Sequence, residues 1–126
     1  MMKQLGQVMM YVMDLEATKE FWLKKVGFVL LGESHEGEFH SYEIAPTKHA
    51  QTTIVLFDRA LIAKYEPELN LGTPSLIFYT EDADELYDRL KDLGVTVGEK
   101  VARNGKTIFN FADNENNYFA VMNQEG

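Results

Sequence analysis

Two imidazoles and two carboxylates crowd into one short stretch, His35-Glu36-Gly37-Glu38-Phe39-His40. Imidazole and carboxylate are donors that a divalent transition metal accepts, and imidazole changes charge near neutral pH. The stretch could hold an unusual or adventitious metal, or act as a pH-sensitive lid. The simpler reading, and the one preferred, is an ordinary polar hairpin tip with a His–carboxylate contact. His49 follows Lys48 in a loop beside Pro46-Thr47 and has no partner pattern, so it is expected in solvent. The chain has no cysteine, which excludes disulfides, thiol catalysis and thiolate metal sites and fits a reducing cytoplasm. There is no Gly-x-Ser-x-Gly elbow, no phosphate loop and no dinucleotide fingerprint.

Composition excludes further classes. The 126 residues, 45% of them hydrophobic, suffice for one domain with a real core. Net charge is −8 with no dense Lys/Arg patch to offset it, so nucleic acid is excluded as a partner. No apolar stretch is long enough for a membrane span. Met1-Met2-Lys3-Gln4 runs directly into a strand-like segment without an apolar leader, so a cytoplasmic location is expected.

The elements that must position any site can be read by periodicity. Val8 to Val12 reads as a strand, followed by Asp14 as N-cap and a helix over about 15–26. Leu15, Thr18, Trp22 and Val26, flanked by Phe21, make its apolar stripe, and Gly27 is its left-handed stop. Segments 28–33 and 39–44 read as a hairpin around Glu36-Gly37, and 52–58 as a fourth strand. A connector over 59–74 holds a short helix at Arg59 to Tyr65 and is broken by Pro67, Gly72 and Pro74. Its length suits a cover for a pocket, a contact with a partner subunit or a passive crossover.

The second half repeats this order. Ser75 to Thr80 reads as a strand, and Asp82 or its neighbour caps a helix to Leu93 with Ala83, Leu86, Tyr87, Leu90 and Leu93 on its apolar face. Strands are expected over 96–101, 107–111 and 118–123. At a single offset Leu23 maps onto Leu90, Lys24 onto Lys91 and Gly27 onto Gly94. The chain is a tandem of two βαβββ modules, about 5–58 and 75–123, which are expected to form one domain over 1–126.

The repeat, with the closing run Asp113-Asn114-Glu115-Asn116-Asn117-Tyr118-Phe119-Ala120-Val121, resembles the vicinal oxygen chelate superfamily. Its members include glyoxalases, extradiol dioxygenases and bleomycin-resistance proteins. The resemblance covers roughly residues 5–123. It implies an α+β fold with helices outside curved mixed sheets and a concave pocket shared by the modules. It also implies a homodimer.

Strand parity then assigns faces. Gln7, Met9 and Tyr11 should look into the pocket from strand one, and Thr53, Val55 and Phe57 from strand four. Ser75, Ile77 and Tyr79 should do so from strand five, and Tyr118, Ala120 and Met122 from strand eight. Metal-dependent relatives carry His, Gln or Glu once on each of these strands. The matching positions here are Gln7, Val55, Ser75 and Ala120, of which two have no donor and Ser75 is a poor one. No family-type metal site and no cofactor are therefore expected. These inward positions also offer no carboxylate, His or Lys for acid–base work, only tyrosine hydroxyls, so no catalytic residue is assigned.

The expected function is metal-free binding of a small organic ligand, in the manner of bleomycin-resistance proteins. Its ligand set would be Gln7, Met9, Tyr11, Phe57, Ser75, Ile77, Tyr79, Tyr118, Ala120 and Met122. The alternatives are a glyoxalase- or dioxygenase-type enzyme with displaced ligands, and an interaction module whose cavity is filled.

Overall fold

The computed structural model describes residues 1–124. They form two compact units, one up to Thr73 and one from Pro74 onward, each built around a four-stranded mixed sheet.

In the first unit the strands are β1 (Gln7–Val12), β2 (Val29–Glu36), β3 (Phe39–Ala45) and β4 (Thr53–Asp58), in the sheet order β1-β4-β3-β2. β1 and β4 run parallel, with Gln7 opposite Thr53 and Tyr11 opposite Phe57. The other pairs are antiparallel. Helix α1 starts at Leu15 because the Asp14 carboxylate accepts from the Ala17 amide at 3.0 Å, satisfying a first-turn donor. The expected single helix over 15–26 is α-helical only over Leu15–Glu20. Its second half, Phe21–Val26, widens to π-helical turns, and the Gly27 amide donates to the Trp22 carbonyl at 3.0 Å. Gly27, at φ 91°, ends it as read from the sequence.

Alternation along β1, β3 and β4 buries Met10, Val12, Tyr42, Ile44, Ile54 and Leu56, together with Thr18 and Trp22 of α1. The Trp22 indole lies 4.9 Å from the Phe28 ring. Helix α2 (Arg59–Tyr65), expected within the connector, is capped by Asp58. Its Tyr65 hydroxyl donates to Glu38 at the β2–β3 turn, at 2.5 Å.

The second unit contains β5 (Ile77–Thr80), α3 (Ala83–Asp92), β6 (Val101–Arg103), β7 (Lys106–Ala112) and β8 (Tyr118–Asn123), in the sheet order β5-β8-β7-β6. Asp82 caps α3 by accepting from the Glu85 amide at 3.0 Å. The core is Ala83, Leu90 and Val95 with Phe109, Phe111, Phe119 and Val121. The Phe111 and Phe119 rings lie 5.8 Å apart.

Three boundaries differ from the sequence reading. β5 starts at Ile77 rather than Ser75, since Pro74 has no N–H for a ladder and pairing with β8 begins at Ile77 opposite Ala120. Leu93, expected on the apolar face of α3, is 40% exposed, because the helix ends at Asp92 and Leu93 leaves the helical phase. The expected strand over 96–101 gives way to Val101–Arg103, with Val97 bridged singly to Phe111. Asn104 (φ 53°) and Gly105 (φ 78°) form a two-residue turn with both central residues left-handed. That turn pins Arg103 opposite Lys106 and so fixes which residues pair with β7. Among the described residues no helix is long and apolar enough to cross a membrane.

Candidate functional site

The face of the first sheet turned away from α1 carries the expected strand-one and strand-four residues. Gln7, Met9, Val55 and Phe57 line a hollow of about 290 Å³ with Gly32, Glu33, Ser34, Ser41 and Glu43. Tyr11 stands on this face and stacks on Phe57, ring centroids 5.9 Å apart. Glu43 lies outside the expected set and corrects the inference that the inward positions offer no carboxylate. It stands opposite Val55 on β3. Its Oε2 accepts from the Thr53 hydroxyl at 2.7 Å and from the Gln7 amide at 3.3 Å. The signal for it is the alternation Tyr42-Glu43-Ile44, whose flanking residues are both buried on the helix side. Thr53 and Glu43 thus occupy each other, and Gln7 presents an amide held by a carboxylate.

In the second unit the face away from α3 carries Ile77, Tyr79, Tyr118, Ala120 and Met122. Ile77 stands beside Ala120 and Tyr79 beside Met122 in the parallel ladder. Asn110 and Ile108 join them from β7, opposite Ala120 and Met122. Ser75 is exposed and precedes β5, so it is not fixed by a strand. Ile77, Tyr79 and Tyr118 are 56%, 64% and 59% exposed, an aromatic and apolar surface open to solvent within its own unit.

At the metal positions carried over by resemblance, Gln7 and Ser75 have side-chain oxygens and Val55 and Ala120 have none. Glu43 adds one carboxylate beside Gln7. Among the described residues, the His/Cys/Asp/Glu group with three donors close enough for one ion is Glu33, His35 and His40. The expected His–carboxylate contact at the hairpin is therefore present, but its acceptor is Glu33 rather than Glu36 or Glu38. It lies on the opposite, helix-side face, where Glu33 pairs across the ladder with Tyr42. Hydrogen bonds first from His35 and then from His40 hold the Glu33 carboxyl below its ordinary range.

The closing turn positions β8. Asp113 is buried and accepts from the Glu115 amide at 2.8 Å, the Asn117 amide at 2.9 Å and the Asn117 side-chain amide at 3.2 Å. Asn116 takes a left-handed φ of 63°, which asparagine tolerates better than other non-glycine residues.

These two modules and this closing turn define a known class. The family model described as the Glyoxalase/Bleomycin resistance protein/Dioxygenase superfamily matches residues 4–121. The chain belongs to that superfamily. An uncharacterized protein, YetH, of Bacillus subtilis (strain 168) is 34% identical over 123 residues, covering 96% of this chain and 98% of that one. Among solved structures, TnmS3, an antibiotic binding protein from Streptomyces sp. CB03234, superposes with a TM-score of 0.82 at 26% identity, covering 98% of both chains. A glyoxalase/bleomycin resistance protein from the same organism gives a TM-score of 0.75 at 27% identity, covering 94% of this chain and 98% of that one.

Proposed function

We propose that this chain is a binding protein that sequesters a small organic molecule, without a metal at the superfamily's strand positions. The observation that carries the reading is chemical. Val55 and Ala120 stand where a metal would need donors, while Tyr11, Phe57, Tyr79 and Tyr118 supply aromatic surface. Flat apolar walls with a few amides and hydroxyls are the usual makeup of an organic-ligand site. The likeness to an antibiotic binding protein supports the same reading. The ligand residues are Gln7, Met9, Tyr11 and Phe57 on the first sheet and Ile77, Tyr79, Tyr118, Ala120 and Met122 on the second, with Ser75 near its edge. Glu43 favours a ligand with a cationic or hydrogen-bond-donating group, in keeping with the net charge of −8. The working form is one domain per chain, paired as a homodimer.

A ligand that binds only the folded state raises the melting temperature. A thermal-shift screen of polycyclic and cationic aromatic compounds should find stabilising ligands, and Ala120→Trp should remove the shift. A screen without any hit, or a hit that Ala120→Trp leaves unchanged, overturns the reading. The second reading, a metal-dependent enzyme, draws on Glu43 beside Gln7. Glyoxalase or extradiol dioxygenase activity that Gln7→Ala and Glu43→Ala abolish would establish it instead.

A further inference from the structure

The hairpin formed by β2 and β3 carries a second constellation on the opposite side of the first sheet. Glu33 and His35 are two residues apart on β2, so both point to one face. His40 is the direct cross-strand partner of His35 and therefore shares it. Register is held by a two-residue turn in which Gly37 takes φ 62°. The tip is held from below by Glu38 accepting from Tyr65 of α2 and by the Phe39 ring 5.3 Å from the Tyr65 ring.

The donors converge closely. One carboxylate oxygen, Glu33 Oε2, lies 2.9 Å from His35 Nε2 and 3.0 Å from His40 Nε2. All three ligand atoms lie within 4.8 Å of one another. The two imidazoles are stacked, centroids 3.8 Å apart and 24° from parallel, so both rings present the same edge to the carboxylate. A metal bound at about 2.0–2.2 Å to each atom needs donors roughly 3.4 Å apart in a tetrahedral arrangement. The carboxylate and imidazoles would need to part by only a few tenths of an ångström.

We propose that Glu33, His35 and His40 form a binding site for one borderline divalent cation of the Zn2+ kind. Two imidazoles and one carboxylate suit Zn2+, Co2+, Ni2+ or Cu2+ and not Mg2+ or Ca2+, which require oxygen ligands in larger number. Binding replaces the Nε2···Oε2 contacts: the proton on each Nε2 shifts to Nδ1, or passes to solvent from a doubly protonated ring, the freed Nε2 lone pair goes to the metal, and Glu33 binds as the carboxylate. The side chains of His35 and Glu33 are 63% and 44% exposed, so the fourth position is open to water. His40 also borders a hollow lined by Asp14, Glu16, Glu38 and Asp58, whose negative charge draws cations to this face. The three donor side chains share the helix-side face with Tyr42, while Glu33 also borders the hollow on the other side of the sheet.

Untagged protein, stripped with chelator and dialysed, is titrated calorimetrically with ZnCl2 and with MgCl2 at pH 7.5. One Zn2+ per chain and no Mg2+ response are expected. His35→Ala and His40→Ala should each weaken Zn2+ binding by about 100-fold or more, beyond the loss from removing an outer partner, while His49→Ala leaves it unchanged. On the wild type, Zn2+ should shift the imidazole nitrogen resonances of His35 and His40 and not those of His49, a readout that needs no variant to fold. Absence of stoichiometric Zn2+ binding overturns the proposal. So does binding that survives the double substitution of His35 and His40.

Discussion

Trp22 and Ala120 occupy opposite faces of their respective sheets, and their substitutions separate core from surface. Trp22 is fully buried against α1's own sheet. Trp22→Ala should therefore cost about 3–5 kcal/mol, read as a lower urea midpoint. Ala120 lies half-buried on the open face, between Ile77 and Asn110. Ala120→Trp should leave the midpoint within about 1 kcal/mol, as surface substitutions do. The reverse order would mean that the faces are exchanged.

A second residue-scale outcome concerns acid. Glu16 is held ionised below its ordinary range mainly by the hydrogen bond from the buried Tyr42 hydroxyl, with help from Lys19. Burial and that same carboxylate push the Tyr42 hydroxyl up, so it stays a donor. A depressed carboxyl contributes stability that is present above the unfolded value of about 4.3 and is lost as pH falls through the lower folded value. Tyr42→Phe should flatten this acid limb, measured as urea midpoint against pH between 6 and about 3. An unchanged acid limb would show that Glu16 draws nothing from Tyr42.

Between residues and the whole lie the elements, whose ends are set by local chemistry. Gly94 follows α3 at φ 81°, and a Cβ built there meets nothing within 4 Å. Gly94→Ala thus isolates backbone strain from packing and should cost about 1–2 kcal/mol in thermal or urea melts. Gly94→Asn should cost less, since asparagine enters the left-handed region more readily. What was legible in the sequence follows the same division. The helix caps Asp14 and Asp82 and the stops Gly27 and Gly94 were legible because each depends on one residue and its chain neighbours. Face assignment on β1, β4 and β8 was legible because strands alternate. Glu33 as the shared partner of His35 and His40 was not, because that contact depends on register across the hairpin. A bulge between Leu30 and Gly32 shifts the phase of β2 before it reaches Glu33. The place of β6 was not legible from residues 96–101, because the tight turn at Asn104-Gly105 sets which residues pair with β7.

At the scale of the whole molecule, the exposed apolar surface bears on assembly. Each sheet leaves edge strands, β1 and β2 in one and β5 and β6 in the other. Unpaired edges and open apolar faces favour covering by another chain. Ile77, Tyr79 and Tyr118 are more than half exposed, and Met9 is 38% exposed on its own sheet. A two-fold pair would bury such surfaces by self-complementary contact, and a standard interface needs about 800 Å² from each partner. Light scattering at micromolar concentration should therefore give twice the 14.4 kDa of one chain. Introducing charge at the exposed face, Tyr79→Lys with Tyr118→Lys, should shift the population toward monomer. The same pair should weaken ligand-induced thermal stabilisation, since these rings belong to the proposed ligand set. A wild-type protein that scatters only as monomer removes the dimer. A dimer untouched by the lysine pair places the interface on other surfaces, such as the edge strands, and leaves the aromatic face to the ligand alone.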